Sequence, residues 1–298
     1  MSYALFLGCM IPLRLPYMET AARKVLDLLG VELLDMPNAS CCGDPISFQS
    51  LDRETWLAIA ARNLCIAEEM GKDILTLCSG CYETLKTANV TLKRERPLRE
   101  EVNRILSEVG REFKGTIEVK NLLEVLQEIG AEKVRSFVTR PLKGLRVATH
   151  YGCHLVRPSD VLNFDDPMRP VIFDRFIELT GAESVSYQKK MLCCGAGLRM
   201  VDTKKALRLV EMKLGYVEEA GADCMAVLCP YCMLQYDVMQ RMVRHRDGGK
   251  YNIPVFYYPE LLCLSMGVPP EELGLRFHRT SPESVLKKIG LNSPPSIS

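Results

Sequence analysis

Residues 73–81 read Asp-Ile-Leu-Thr-Leu-Cys-Ser-Gly-Cys, and residues 224–232 read Cys-Met-Ala-Val-Leu-Cys-Pro-Tyr-Cys. In both stretches a short apolar run, which is typical of a buried strand, leads directly into a Cys-x-x-Cys pair. The pair therefore follows the carboxyl end of a predicted strand in two places, 151 residues apart (232 minus 81). This repetition predicts that one structural unit occurs twice in the chain.

A longer cysteine pattern surrounds these stretches and is also written twice. Its members are Cys9, Cys41, Cys42, Cys78 and Cys81 in the first set, and Cys153, Cys193, Cys194, Cys229 and Cys232 in the second. The gaps are 31 and then 35 residues in the first set, and 39 and then 34 in the second. Ten of the 13 cysteines belong to the pattern, so we predict that it forms the functional core. The other three, Cys65, Cys224 and Cys263, lie among apolar residues and are predicted to be buried small hydrophobes.

Apolar strand-like runs alternate with helical patterns along both halves of the chain, which predicts parallel sheets covered by helices. Glycines such as Gly30 and Gly71 follow the helical patterns, as expected of helix C-terminal caps. We therefore predict an α/β fold made by tandem duplication of a parallel-sheet unit. The two similar domains, residues 1–143 and 144–298, would be related by a pseudo-twofold axis, and residues 292–298 would form a disordered tail.

The predicted strands place the cysteines at one edge of each sheet. Ligands in open α/β sheets bind beyond the carboxyl ends of the strands, and parallel strands bring all these ends to the same edge. Each half can therefore gather its five thiolates around one point. Gly43 and Gly195, which follow the adjacent cysteine pairs, would allow a tight turn against a bound centre. Packing about a pseudo-twofold axis is expected to bring the two centres face to face.

The composition excludes several classes of function. The net charge is +1, from 38 basic and 37 acidic residues, which gives no electrostatic case for nucleic acid or an anionic membrane. No apolar stretch approaches the ~18 residues of a membrane span. The first residues lack a basic leader, so they are interpreted as a strand and not a signal peptide. We expect a soluble cytoplasmic protein, and a secreted disulfide scaffold is disfavoured.

Five thiolates in each half exceed the requirement of the common cysteine sites. A structural zinc ion takes four ligands, and a cubane iron–sulfur cluster takes four cysteines. Either one cysteine is spare, or the centre is a larger iron–sulfur assembly with a bridging thiolate. Zinc in one half, with a reactive spare thiol, stays open at this point. No flavin or nicotinamide motif is present, so redox chemistry would draw its electrons from a partner chain.

The double motif, Cys-x31–39-Cys-Cys-x33–35-Cys-x2-Cys with glycine after each pair, resembles the signature of the cysteine-rich CCG domain. A chain of this length with two complete copies is similar to the catalytic B subunits of heterodisulfide reductases, from residue 3 to about residue 267. The resemblance implies that each set of five cysteines binds one noncubane [4Fe-4S] cluster. It also implies that the two clusters face each other across the cavity in which the coenzyme M–coenzyme B disulfide is reduced to two thiols.

The resemblance implies partners as well. They are the C subunit of heterodisulfide reductase, which carries cubane iron–sulfur clusters, the flavin-carrying A subunit, and a hydrogenase or formate dehydrogenase as the electron source. Reduction of a disulfide takes two electrons and iron–sulfur clusters pass them singly, so we hypothesise that each cluster donates one electron and takes one substrate sulfur. The rival mechanism is thioredoxin-type exchange at the Cys-x-x-Cys pairs. The alternative functions are a cluster-bearing electron-transfer component of a lactate, glycolate or succinate oxidoreductase, and a zinc-bound structural protein.

Residues that would recognise the substrate are harder to identify from the sequence. The implied heterodisulfide carries anionic groups, and five basic residues lie near the motifs: Arg14, Arg157, Lys189, Lys190 and Arg199. Each is a candidate for binding an anion, and a solvated surface charge is the alternative for each. His154, beside Cys153, is a candidate catalytic proton donor, with a structural role as the alternative. His150, within a predicted strand, is assigned a structural role.

Overall fold

The structure, a computed structural model, describes residues 1–46, 48–243, 248 and 250–292. Residues 293–298 of the predicted disordered tail lie outside the described residues. The strands of the described part are β1 Ser2–Phe6, β2 Glu32–Asp35, β3 Ile74–Thr76, β4 Val119–Asn121, β5 Arg146–His150, β6 Glu183–Ser184, β7 Cys224–Val227 and β8 Val255–Tyr257. The α-helices are α1 Met10–Arg14, α2 Pro16–Leu28, α3 Phe48–Leu51, α4 Arg53–Met70, α5 Ser79–Arg94, α6 Arg96–Ser107, α7 Leu122–Ile129, α8 Ala131–Ser136, α9 Ser159–Leu162, α10 Ile172–Leu179, α11 Thr203–Glu219, α12 Pro230–Met233, α13 Tyr258–Ser265 and α14 Glu283–Lys288.

The strands form two parallel four-stranded sheets, in the orders β2-β1-β3-β4 and β6-β5-β7-β8. Equivalent strands of the two sheets are paired in the same register. Phe6 of β1 pairs with Thr76, two residues before Cys78, and His150 of β5 pairs with Val227, two residues before Cys229. The second sheet therefore repeats the first, which confirms the predicted α/β fold and its tandem duplication.

The caps of the long helices show why the sequence folds in this way locally. The Asp52 side chain caps α4 by accepting a hydrogen bond from the backbone N–H of Thr55, and Asp202 caps α11 in the same way from Lys205. Helix α4 ends at Gly71, whose φ of 62° lies in the left-handed region that glycine adopts without a Cβ clash. The helical sequence patterns of residues 52–70 and 204–220 predict these two helices to within a residue or two.

The two halves pack as pseudo-twofold partners. Helix α2 of the first half packs against α13 of the second, and the equivalent helices α10 and α7 pack against each other. Two buried hydrogen bonds cross between the ends of the sheets. Ser79 Oγ donates to the carbonyl of Leu228 at 3.2 Å, and the Tyr257 hydroxyl donates to the carbonyl of Leu77 at 3.0 Å. Each half therefore fixes the carbonyl that precedes the Cys-x-x-Cys pair of the other half.

The helices that follow the Cys-x-x-Cys pairs differ between the halves. Helix α5 runs for 16 residues, whereas α12 runs for four and continues as a π-helical segment, Leu234–Val238, and a 3₁₀ turn, Met239–Met242. The sequence indicates helix throughout 92–109, but the structure divides this region at Glu95. Pro97 lies in the first turn of α6, where a missing backbone N–H is tolerated. None of the helices in the described residues has the length and apolar content needed to cross a membrane.

Candidate metal centre

Strand ends and helix starts position the cysteines of both sets. Cys78 and Cys229 lie just beyond β3 and β7 and form the N-caps of α5 and α12, while Cys9 is the N-cap of α1. The amino end of a helix carries a partial positive charge and unpaired N–H groups, so it favours an anionic thiolate. The adjacent pairs reach the same edge in the loops that follow β2 and β6.

The five thiols of the first set line one cavity: Cys9, Cys41, Cys42, Cys78 and Cys81. Hydrogen bonds from its two neighbours lower the pKa of Cys41, with Cys42 contributing more than Cys9. The series continues from Cys42 to Cys81 and from Cys81 to Cys78, whose side chains also interact. Pro230 and Tyr231 of the second half complete the wall of this cavity.

The second set repeats this arrangement. The Sγ atoms of Cys153 and Cys193 lie 4.0 Å apart, and the backbone N–H of Gly195 donates to the Cys193 sulfur at 3.3 Å. Hydrogen bonds from Cys153 and, to a lesser extent, Cys194 lower the pKa of Cys193. The side-chain interactions continue from Cys194 through Cys232 to Cys229. Cys193 therefore corresponds to Cys41 as the thiol that its neighbours stabilise as an anion.

The two sets meet at Cys78 and Cys229. A side-chain hydrogen bond between these residues is the largest cause that raises the pKa of Cys78, and it also lowers the pKa of Cys229. The structure thus brings all ten predicted cysteines together, so that side-chain interactions link each cysteine to the next in one continuous series. Cys41 and Cys193 are exposed, Cys9 and Cys153 are half-buried, and the other six are buried. The predicted burial of Cys65, Cys224 and Cys263, outside the series, is confirmed.

The backbone and the polar groups around the thiols fit a bound iron–sulfur group. A Cβ on Gly8 would lie 2.7 Å from the Cys81 sulfur, and a Cβ on Gly152 would lie 3.5 Å from the Cys232 sulfur. Gly8 therefore keeps space free beside a thiol, whereas a Cβ at Gly152 would make an ordinary van der Waals contact. Both ring nitrogens of His150 and the Tyr236 hydroxyl are buried without a hydrogen-bond partner among the described residues. No group of three or more His, Cys, Asp or Glu side chains in that part of the chain is arranged to hold a single metal ion.

Charged groups that the sequence did not single out also surround the second set. Lys213 of α11 is fully buried, and its Nζ donates to the carbonyls of Lys190 at 2.6 Å and Lys189 at 2.9 Å. Burial lowers the pKa of Lys213 to about 7, against the opposing effect of the thiolates of Cys232, Cys194 and Cys193. A lysine on an amphipathic helix gives no signal of burial in sequence, because lysine is almost always exposed.

His154, the predicted proton donor, lies at the boundary between the halves. Its Nδ1 is 3.8 Å from Oε2 of Glu83, a buried carboxyl on α5. Burial lowers the pKa of His154 and raises the pKa of Glu83 to about 7. Glu83 follows Cys81 by two residues, and only this proximity to the motif could have indicated it in advance.

The five predicted anion-binding residues fall into two groups. Arg157 donates from Nε and Nη2 to the carbonyl of Pro167, at 3.1 and 2.6 Å, and Lys190 is paired with Asp174 at 2.6 Å. These two side chains are half-buried and serve the fold. The others, Arg14, Lys189 and Arg199, are exposed.

Sequence comparisons with known proteins agree on one family. The cysteine-rich CCG domain matches residues 3–86 and 147–237, which include all ten cysteines of the two sets. The chain is 45% identical over 289 residues to the B subunit of a Ferredoxin/F(420)H(2)-dependent CoB-CoM heterodisulfide reductase of Methanosarcina acetivorans, covering 96% of each protein. It is 31% identical to an 8-methylmenaquinol:fumarate reductase membrane anchor subunit of Wolinella succinogenes, covering 92% of this chain and 95% of the relative.

Among solved structures, a hypothetical protein from Helicobacter pylori has a similar fold. The TM-score is 0.74 at 17% sequence identity, over 94% of this chain and 52% of the other. This similarity supports the architecture of two sheets that the structure displays.

Proposed function

Since the chain belongs to the family of heterodisulfide reductase B subunits, with two cysteine-rich CCG domains, we propose that it is the catalytic subunit that reduces the coenzyme M–coenzyme B disulfide. As a family member it has an oxidoreductase role within a complex of several subunits. The observation that carries the proposal is geometric: Pro230 and Tyr231, which lie between Cys229 and Cys232, line the cavity of the first thiol set, so the two matched sets meet at one place. Such a site suits a reaction that needs two one-electron donors on one substrate.

The proposed cofactors are two noncubane [4Fe-4S] clusters, one on each set of five cysteines. When bound, they supply electrons one at a time. Reduction of R–S–S–R′ consumes two electrons and two protons and yields R–SH and R′–SH. The protein surrounds the buried thiols with apolar side chains, which limits access of water to that part of the site.

The side chains of the chain itself would bind the substrate and supply a proton. Arg14, Lys189 and Arg199 are exposed and can approach the anionic groups of the substrate as charge-assisted donors. Arg157 and Lys190 would have to exchange their present partners, so they are weaker candidates. His154, next to Cys153 and near the Glu83 carboxyl, is the proposed proton donor to a substrate sulfur.

The proposal extends to the organisation of the protein and its partners. Residues 1–143 and 144–298 would be the two domains, each carrying one cluster. The electrons would arrive through a C subunit with cubane clusters and an A subunit with flavin, fed by a hydrogenase or a formate dehydrogenase. We place the complex in the cytoplasm.

Anaerobic reconstitution with iron and sulfide tests the function directly. The loaded protein should reduce the coenzyme M–coenzyme B disulfide with reduced viologen dye as donor, releasing two thiols per disulfide. The iron-free protein is the control and should be inactive. Turnover by the iron-free protein would instead establish thiol exchange at the Cys-x-x-Cys pairs.

The relative from Wolinella favours a second candidate, a cluster-bearing electron-transfer component of another oxidoreductase. Its name assigns it to a fumarate reductase, and it matches this chain over nearly its whole length. The same assay separates the two candidates. A fully loaded protein that accepts electrons from the dye but leaves the heterodisulfide intact would support the second.

A further inference from the structure

The two thiol sets occupy equivalent places in the fold but differ in the side chains that surround them. The register of the sheets makes His150 the equivalent of Phe6, because each lies opposite the residue two positions before its Cys-x-x-Cys pair. Tyr236 is the equivalent of Leu85, since each follows the last cysteine of its motif by four residues. All four side chains are buried. Two apolar positions of the first half are therefore polar in the second.

A third pair of equivalent positions differs in charge. Asn63 lies 11 residues after the cap Asp52 (63 minus 52), and Lys213 lies 11 residues after the cap Asp202 (213 minus 202). Both side chains are fully buried and hold the loop before the adjacent cysteine pair. Asn63 does so as a neutral amide that donates to the carbonyl of Cys41 at 3.1 Å. Lys213 does so with its amino group, so a buried basic side chain stands in the second half where the first has a neutral amide.

The polar groups of the second half lie beside its thiols. His150 precedes Cys153 by three residues, and its ring packs edge-on against that of Tyr236 with 4.8 Å between the ring centroids. Lys213 holds the loop that leads to Cys193. The thiolates of Cys232, Cys194 and Cys193 interact electrostatically with Lys213. Those of Cys193 and Cys229 do so with His150, and those of Cys194 and Cys232 with Tyr236. In the first half, by contrast, a carboxyl group, Asp44, lines the cavity. Among the described residues a buried lysine therefore lies beside the second set alone, whereas unpartnered buried polar atoms occur in both halves, such as Trp56 Nε1 beside Gly43 in the first.

We propose that Lys213, His150 and Tyr236 make the second set the electron-accepting end of the site, so that a cluster on Cys153, Cys193, Cys194, Cys229 and Cys232 is reduced at a higher potential than a cluster on the first set. The inference rests on the proposed function, because it requires clusters on both sets. A nearby positive charge and hydrogen bonds to the sulfurs both stabilise the reduced, more negative state of an iron–sulfur cluster. The first electron then resides in the second half, and the three residues are positioning residues that act through the cluster.

The unpartnered groups provide a sharp test because their removal breaks no hydrogen bond within the described chain. Tyr236→Phe deletes a hydroxyl that has no partner there, so the variant should fold and load iron normally. His150→Phe introduces the residue that the first half already carries at the equivalent position. Lys213→Met removes the charge and keeps the length of the side chain, and Lys213→Arg keeps the charge.

The experiment is a redox titration of the reconstituted full-length protein, followed by electron paramagnetic resonance. The wild type should show two reduction steps. Lys213→Met should lower the upper step alone, so that the ratio of reduced to oxidised cluster at the wild-type midpoint falls about tenfold, or ~59 mV for one electron. Tyr236→Phe should lower the same step by a smaller amount, and Lys213→Arg should restore it. The matched control is Lys205→Met, which removes an exposed positive charge from the same helix and should move neither step.

Three outcomes would overturn the inference: equal potentials in the wild type, a lower step that responds to Lys213→Met, or an upper step that ignores both Lys213→Met and Tyr236→Phe at full iron content. If Lys213→Met fails to bind iron, Tyr236→Phe and His150→Phe decide the question alone. Failure of the proposed function has a different signature. Two clusters with the predicted shifts but no turnover of the heterodisulfide would reject the substrate and retain the inference.

Discussion

The two halves share their sheet topology and the order of their cysteines, and they diverge after the last cysteine of each motif. In the first half α5 continues as a regular helix, whereas in the second half the chain widens into the π-helical segment Leu234–Val238. Side chains of the second segment explain the difference. Gln235 donates to the carbonyl of Cys194 at 2.9 Å, and the Asp237 carboxylate accepts from the backbone N–H groups of Arg279 and Thr280. A π-helical turn often marks a functional site, and here it lies directly beside the second thiol set.

At the contact between the halves, equivalent backbone positions likewise carry different side chains. His154 of the second half approaches Glu83 of the first half across the boundary between them. At the equivalent positions, counted from Cys9 and Cys232, the residues are Met10 and Leu234. The contact between His154 and Glu83 is therefore polar, whereas the equivalent positions hold apolar residues. The comparison teaches that the duplication preserved the cysteine-bearing edge, while the polar groups around it became specific to each half.

Loss of one cysteine in either half should have the largest effect. Cys42→Ser and Cys194→Ser should each reduce the iron content from about eight to about four per chain and abolish turnover, because both clusters are needed for the two electrons. Cys65→Ser is the matched control, since it alters a buried cysteine outside the sets, and it should keep the full iron content. Metal analysis of anaerobically purified variants measures the difference. If either variant retained turnover, the two halves would not act together.

Replacement of His154 by methionine, the residue at the equivalent position of the first half, should have the next largest effect. His154→Met should lower kcat by ~10²-fold with unchanged iron content, as expected from loss of a general acid. The Michaelis constant should change little, because the proton is needed during the reaction and not for binding. Steady-state kinetics of the loaded variant test this. A rise in the Michaelis constant with unchanged kcat would assign His154 to substrate binding.

The π-helical segment should be more sensitive to mutation than the regular helix at the equivalent position. Asp237→Ala removes the acceptor of two backbone N–H groups, one buried and one partly buried, and should lower the free energy of unfolding by about 3 kcal/mol. Lys86→Ala is the matched control, because Lys86 is the residue of α5 that corresponds to Asp237. The variant loses a partly buried ion pair with Glu124 and a hydrogen bond to the Tyr82 hydroxyl. Its effect should be about 1 kcal/mol. Urea unfolding followed by circular dichroism compares the two variants, and equal losses would contradict a special role for the segment.

The smallest effect is expected for the hydrogen bonds that cross between the halves. Tyr257→Phe leaves the buried carbonyl of Leu77 without its donor and should cost about 1–2 kcal/mol. Tyr258→Phe, which loses a similar bond to the carbonyl of Phe176 within the second half, should cost about the same. Only Tyr257→Phe should also speed hydrogen exchange near Cys78 in the first half. Faster exchange there in Tyr258→Phe would show that the bond across the halves has no separate role.

The sequence predicts most of the fold because local signals mark its elements. Asp52 and Gly71 bound α4 as expected of a cap and a C-terminal glycine, and the repeated spacing of the cysteines indicates the sheet edge. The surroundings of the thiols could not be predicted in this way. Lys213 has the helical spacing of a surface residue, and the packing of α11 against the π-helical segment and the 3₁₀ turn Met239–Met242 buries it. The π-helical segment depends on contacts with Arg279 and Thr280, more than 40 residues along the chain, which no local pattern reveals.

The wall that Pro230 and Tyr231 contribute to the first cavity has a consequence for biosynthesis. During translation the amino-terminal half emerges from the ribosome first, with its five thiols on an edge that lacks this wall. After Cys81, 150 further residues (231 minus 81) must be made before the cavity can close. The nascent chain therefore passes through a stage at which its first set of thiols is exposed to solvent and to oxidants, so the order of synthesis sets a period in which these thiols are unprotected.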